Sequence, residues 1–128
     1  MSTIQRFEDL WVWQQARVLV SQVYGDFRVG LAATDFAFSD QIHRAALSTM
    51  SNVAEGFERS SNPERARFVE IAKGSCGEVR SLYYAGLDLG YIELKRAEER
   101  WALARQVSAG LSSLADHLRK TKVSKRRF

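Results

Sequence analysis

Between Phe68 and Leu89 the chain is spaced as the seam of a helix, yet two seam positions are polar. Phe68, Ile71, Ser75, Glu78, Leu82, Ala85 and Leu89 form an unbroken 3-4-3-4 series, with a hydroxyl and a carboxylate where core side chains belong. A buried carboxylate is costly unless something pairs it. A second polar block stands upstream, Ser51-Asn52-Val53-Ala54-Glu55-Gly56-Phe57, against Lys73-Gly74-Ser75-Cys76-Gly77-Glu78. The pattern therefore predicts two helices that face each other, with a cation on one for Glu78 on the other.

Four long segments carry the helical period. The first runs from about Glu8 to Phe27, with Trp13, Ala16, Val20, Val23 and Phe27 on one stripe and Val12 and Leu19 widening it. A loop from Val29 to Asp35, containing Gly30, ends it. The second runs from about Ser39 to Arg59, with Ile42, Ala46, Met50, Val53 and Phe57 inward. Ser60-Ser61-Asn62-Pro63 then breaks the chain, and Asn62 as N-cap before Pro63 restarts it. The third helix reaches Leu89, Gly90 supplies a left-handed stop, and a fourth runs from about Glu93 to Arg119 with Ala97, Trp101, Ala104, Val107, Leu111, Leu114 and Leu118 inward. No segment alternates as a strand would. The fold class expected is all-α, an antiparallel up-down-up-down four-helix bundle over residues 1–118 followed by a basic tail, 119–128.

The hairpin apex near Ser61 and Asn62 sets the register of the middle helices, since residues whose numbers sum to about 123 share a level on antiparallel neighbours. Arg44 then meets Glu78, Ser48 meets Ser75, and Glu55 lies beside Arg67 and Phe68. These residues (Arg44, Ser48, Ser75, Glu78) are the expected polar core. Small residues at the same levels, Gly74 and Gly77 among them, predict a close approach of the two backbones, which offsets the roughly 1 kcal/mol that glycine costs in a helix.

At 128 residues the chain suits one domain able to bury a core without disulfides or metals. The lone Cys76 cannot make an internal disulfide, which fits a reducing cytoplasm. Met-Ser-Thr-Ile-Gln-Arg lacks the order of a signal peptide, and no apolar run approaches the ~20 residues of a membrane span. The expectation is a cytoplasmic protein with no membrane contact. Charge is concentrated at the end: the last ten residues hold Arg119, Lys120, Lys122, Lys125, Arg126 and Arg127 and no acid. Setting those six aside leaves thirteen of nineteen cations against fifteen acids, so the body carries −2 and the formal +4 comes wholly from the tail.

Several ordered motifs together resemble a known family. They are Phe7-Glu8-Asp9-Leu10 with Val12-Trp13-Gln14, Gln41-Ile42-His43-Arg44-Ala45-Ala46 leading to Ser51-Asn52-Val53-Ala54-Glu55-Gly56-Phe57, Ala72-Lys73-Gly74-Ser75 with Glu78, and Leu87-Asp88-Leu89-Gly90-Tyr91-Ile92. The chain resembles the four-helix-bundle proteins encoded in intervening sequences of 23S ribosomal RNA genes, over most of the first three helices and little of the fourth. The resemblance implies a bacterial bundle that assembles with itself as a ring such as a pentamer. It marks Asn52, Glu55 and Gly56 as family motif and brings no catalytic residue. Where that family usually has proline, this chain has Met50, which predicts a straighter second helix.

The candidate sites divide between structural and functional readings. Glu78 with Arg44 reads as a structural pair fixing register rather than a functional pocket. Glu55 bridges either Arg59 at i+4 or Arg67 across the turn. His43 and His117 have no metal-ligand spacing around them, and Ser75 and Cys76 have no histidine at a helical neighbour position, so no metal, cofactor, catalytic constellation or small-molecule substrate is expected. Trp11 lies about 200° from Trp13 on the helical wheel, on the side of Val18; a second subunit covering both is the favoured reading, a lone surface tryptophan the other. The tail reads as a solubilising end, a phosphate-binding arm or a membrane-surface contact. Multiplied by assembly, it favours non-specific binding of RNA or DNA phosphates, with a protein-interaction scaffold as the rival.

Overall fold

The computed structural model describes residues 4–121, all of them in helices and the turns between. A 3-10 turn, Phe7–Asp9, leads into α1 (Trp11–Phe27); a short α2 (Gly30–Thr34) bridges to α3 (Phe36–Glu58), followed by α4 (Asn62–Asp88) and α5 (Leu94–Lys120). The four long helices pack in a closed square in chain order, α1 on α3, α3 on α4, α4 on α5 and α5 back on α1. Cross-helix bonds fix the directions. Ser48 meets Ser75 between α3 and α4, Asn62 at the start of α4 meets Thr121 past the end of α5, and Asp26 near the end of α1 meets Arg100 near the start of α5. The result is an antiparallel up-down-up-down bundle.

Local chemistry sets the helix ends. Asp35 accepts from the Phe38 amide at 3.2 Å and caps α3. The cap of α4 is Ser61, one residue before the expected Asn62, because the Asn62 side chain is drawn into the bundle: its Nδ2 donates to the Thr121 carbonyl at 2.8 Å and its Oδ1 accepts from Arg65 at 2.7 Å. Gly90 stops α4 at φ 77°, with its own amide on the Leu87 carbonyl and the Tyr91 amide on Gly86, the paired bonds of a Schellman end. α3 runs unbroken through Met50.

The inward stripes of α3 and α5 are largely those read from the sequence, with Ile42, Ala46, Val53 and Phe57 buried on α3 and Ala97, Trp101, Ala104, Val107, Leu111 and Leu118 on α5. On α1 the stripe is centred on Val12, Ala16, Leu19, Val23 and Phe27. α4 departs from expectation. Its buried face is Ala66, Val69, Ala72, Cys76, Val79, Tyr83 and Gly86, one position and so about 100° from the expected seam. α4 is wedged between α3 and α5, and its buried centre points between them; Phe68, Ser75, Leu82 and Ala85 are half-buried on a flank, while Ile71, Glu78 and Leu89 reach solvent.

The close approaches move accordingly. A Cβ on Gly74 or Gly77 would meet nothing within 4 Å, whereas one on Gly86 would come within 3.2 Å of Phe38 and 3.4 Å of Phe27. On α5, a Cβ on Gly110 would sit 2.7 Å from Val12 and 3.1 Å from Trp11. On α4 and α5 it is Gly86 and Gly110, not Gly74 and Gly77, at which glycine serves packing. Gly74→Ala is therefore expected to raise stability by about 0.5–1 kcal/mol through helix propensity, and Gly110→Ala to lower it by about 1 kcal/mol net, overpacking outweighing the same gain; denaturant titration of the two variants checks both signs.

Candidate functional site

The facing polar blocks meet, but not as paired charges. Ser48 and Ser75 hydroxyls lie 2.8 Å apart, and Asn52 Nδ2 donates to both the Ser48 carbonyl (2.8 Å) and its hydroxyl (2.9 Å). The expected Arg44–Glu78 pair is not formed. Arg44, its side chain 80 % exposed, binds Asp40 one turn back at 2.9 Å, and Glu78 accepts from Gln41 Nε2 at 2.8 Å on the surface. The 100° rotation of α4 carries Glu78 out of the core and removes its need for a buried partner. Glu55 bridges Arg59 at 2.7 Å, and the Arg59 guanidinium lies 4.4 Å over the Phe68 ring; Gly56 is buried.

The buried carboxylate sits towards the other end of the molecule, on residues the sequence reading passed over. Asp26, its side chain only 1 % exposed, accepts from Tyr83 Oη at 2.6 Å and from Arg100 Nε and Nη2 at 2.7 and 3.1 Å. Arg96 approaches the same carboxylate at 3.4 Å from the solvent side. Burial first, and then donation to Asp26, pushes the Tyr83 phenol well above its ordinary range, so it remains a donor. The signal was present: Asp26 stands seven residues after Leu19 and three after Val23, an acid on the apolar stripe of α1. Asp26, Arg96 and Tyr91 line an open cleft of about 560 Å³ with Gly25, Val29 and Gly90.

Other candidates resolve plainly. Trp11 and Val18 are 49 % and 42 % exposed on the outer side of α1. Arg119 belongs to α5, where it binds Glu70 at 2.6 Å, and Lys120 closes the same helix, so the bundle extends two residues past the expected boundary. Lys122, Lys125, Arg126 and Arg127 lie outside the described residues. Cys76 is buried with its thiol on the Ala104 carbonyl at 3.3 Å, and desolvation raises its pKa to about 11, the protonated form being a poor nucleophile. His43 stacks on Tyr24 at 4.0 Å; burial, then the nearby Arg28, lowers its pKa. Among the described residues no group of three or more His, Cys, Asp or Glu is placed to hold a metal, and no helix is long and apolar enough to cross a membrane.

Residues 8–113 match the family model of the 23S rRNA-intervening sequence proteins. The chain belongs to that family. A crystal structure from Bacteroides thetaiotaomicron, a protein with unknown function from the S23 ribosomal protein family, superposes with a TM-score of 0.75 at 19 % identity, over 81 % of this chain and 97 % of that one. At that identity the likeness establishes the fold. No curated protein matches the chain.

In this intervening-sequence family protein the Asp26 cluster joins three of the four long helices, α1 to α4 through Tyr83 and α1 to α5 through Arg100. Asp26→Ala strands a largely buried guanidinium and a buried phenol, and is expected to cost about 3–5 kcal/mol. Arg96→Ala, removing an exposed and longer contact, is expected to cost under about 1 kcal/mol. Urea unfolding of the two variants tests the contrast.

Proposed function

We propose that this protein is a non-enzymatic, oligomeric helix bundle that binds the phosphates of RNA or DNA without sequence preference through the basic segment following α5. The partition of charge carries the reading. Within the bundle most arginines near an acid are held by it: Arg44 by Asp40, Arg59 by Glu55, Arg96 and Arg100 by Asp26, Arg119 by Glu70. After Arg119 the sequence adds Lys120, Lys122, Lys125, Arg126 and Arg127 and no acid at all. Such a segment attracts polyanions regardless of sequence, and several copies on one assembly multiply a weak affinity by orders of magnitude. Membership in a family named for the 23S rRNA intervening sequence is compatible with this role.

The cut that tests it is set by Asn62. Truncation after Leu118 would remove the Thr121 carbonyl that holds this buried side chain, so the chain is best ended after Thr121. That variant is expected to keep its helix content and lose at least about tenfold in affinity for a labelled oligonucleotide, with a flatter salt dependence, because four cations are gone. Affinity unchanged by the cut would remove the tail from the proposal.

A second reading follows from the exposed apolar side of α1: a scaffold whose partner is protein. Its first partner is a second copy, covering Trp11 and Val18, which are 49 % and 42 % exposed. Val18→Glu is the cleaner probe, since Trp11 also packs against Gly110. Sedimentation is expected to show a multimer for the natural chain and a monomer of unchanged helicity for Val18→Glu; a natural chain that is monomeric at micromolar concentration would end both the assembly and the multivalent argument.

A further inference from the structure

α4 and α5 run side by side, and their shared outer face has a pattern that, apart from the buried Trp101, the core of the bundle does not use. Glu70, Lys73, Gly77, Arg80 and Tyr84 follow a 3-4-3-4 stripe along α4. Trp101, Arg105, Ser108 and Arg119 share a stripe of α5. Contacts tie the two stripes together at both ends. Glu70 binds Arg119 at 2.6 Å; Trp101 Nε1 donates to the Arg80 carbonyl at 3.2 Å and its ring stacks on Tyr84 at 4.2 Å and 25°. The stripes are thus the rims of one shallow groove, about 16 Å from Lys73 to Tyr84 at helical rise.

Its charge is compensated only at one end, where Glu70 acts on Lys73 through space. Lys73 and Arg105 are exposed and Arg80 is half-buried, and none of them makes an ion pair with a described residue. Arg80 Nε is buried without a hydrogen-bond partner among the described residues, a donor that water or a ligand oxygen can satisfy. α5 carries no acid between Glu99 and Asp116. On the facing stretch of α4 the one acid, Glu78, turns towards α3 and is held by Gln41. The remaining acids stand at the groove's ends: Glu70 is bound by Arg119, Asp116 also acts on Arg119, and Asp88 and Glu98 lie past the Tyr84 platform.

Shape and aromatic placement narrow the ligand. Gly74 and Gly77 leave open space where side chains would stand, so a polymer backbone can come close to α4. Tyr84 remains 54 % exposed although it is backed by Trp101, which makes it a rigid platform for a flat ring. A cationic track ending in a supported aromatic is the arrangement that holds phosphates in series and stacks a base. A duplex hides its base faces. We propose that the α4–α5 groove is a binding site for single-stranded nucleic acid, with Lys73, Arg80 and Arg105 on its phosphates and Tyr84 stacked on an unpaired base. The inference rests on the phosphate-binding reading above and adds the place and the strandedness.

Anisotropy titration of the full chain with a fluorescein-labelled 12-nucleotide RNA, and with its duplex, tests the proposal. Lys73→Gln/Arg105→Gln, both at exposed helical positions, should weaken single-strand binding about tenfold or more and lower the salt slope by about 1.4, two contacts at about 0.7 each. Tyr84→Phe should retain single-strand affinity, while Tyr84→Ala should lose about tenfold on the single strand and little on the duplex. Binding that survives the double substitution but vanishes on truncation after Thr121 overturns the groove and leaves the tail reading standing. Equal losses on single strand and duplex for Tyr84→Ala overturn the stacking role, and absence of binding by the natural chain at low salt ends both readings.

Discussion

A single carboxylate holds three helices to one another. Asp26 is all but removed from water, and a charge so placed is tolerable only because two oxygens meet three close donors from α4 and α5. Those donors come from two different helices: Tyr83 from the buried face of α4, Arg100 from α5 next to Trp101. Satisfying them together admits one rotation of α4 about its axis. If α4 turned by one residue, Tyr83 would leave the core and Asp26 would lose its shortest bond. The cluster therefore fixes the phase of α4, and through it the exposure of every residue on that helix.

That phase decides which of the polar blocks is structural. With Tyr83 inward, Ser75 falls on the flank towards α3, where it reaches Ser48, and Glu78 falls outside, where Gln41 suffices. Neither bond is buried deeply enough to bear on the fold as Asp26 does. At the opposite end the chain is tied by a second polar knot. Arg65 donates to the Arg59 carbonyl and to Asn62, and Asn62 donates to Thr121, so the α3–α4 turn and the end of α5 close on one another. The bundle is pinned at both ends by buried polar contacts, with the apolar layers of Leu19, Ile42, Val79 and Val107 between them.

The number, order and direction of the four long helices were legible in the sequence because apolar period and breaker residues are local signals, whereas the short α2 stands where a loop was expected; Pro63 and Gly90 act through backbone geometry that no distant contact overrides. The hairpin register was legible for the same reason, and the Ser48–Ser75 bond follows from it. The rotation of α4 was not. That helix has two neighbours and a weakly polarised composition of small side chains, so a run such as Phe68, Ile71, Leu82 and Leu89 looks as inward as Ala66, Val69, Cys76 and Val79. Only a long-range partner separates the two, and Asp26 lies fifty-seven residues from Tyr83. An acid on an apolar stripe of α1 was the signal, and its significance lay in what it must find elsewhere.

The same rotation explains why the surface chemistry of α4 has its form. Turning Tyr83 inward places Tyr84 outward over Trp101, and turning Cys76 inward places Gly77 at the surface with Lys73 and Arg80 on its stripe. Each of these positions is set by the core more than by any contact it makes itself, since Gly77 faces open space and Lys73 forms no ion pair with a described residue. Side chains whose location is imposed by the interior, and whose charge and ring faces remain unspent on the exterior, are the ones available to a ligand. On this helix the determinants of fold and the candidates for recognition are interleaved residue by residue, Cys76 beside Gly77, Val79 beside Arg80 and Tyr83 beside Tyr84, so substitutions at the outward member of each pair can alter binding while the inward member continues to hold the bundle.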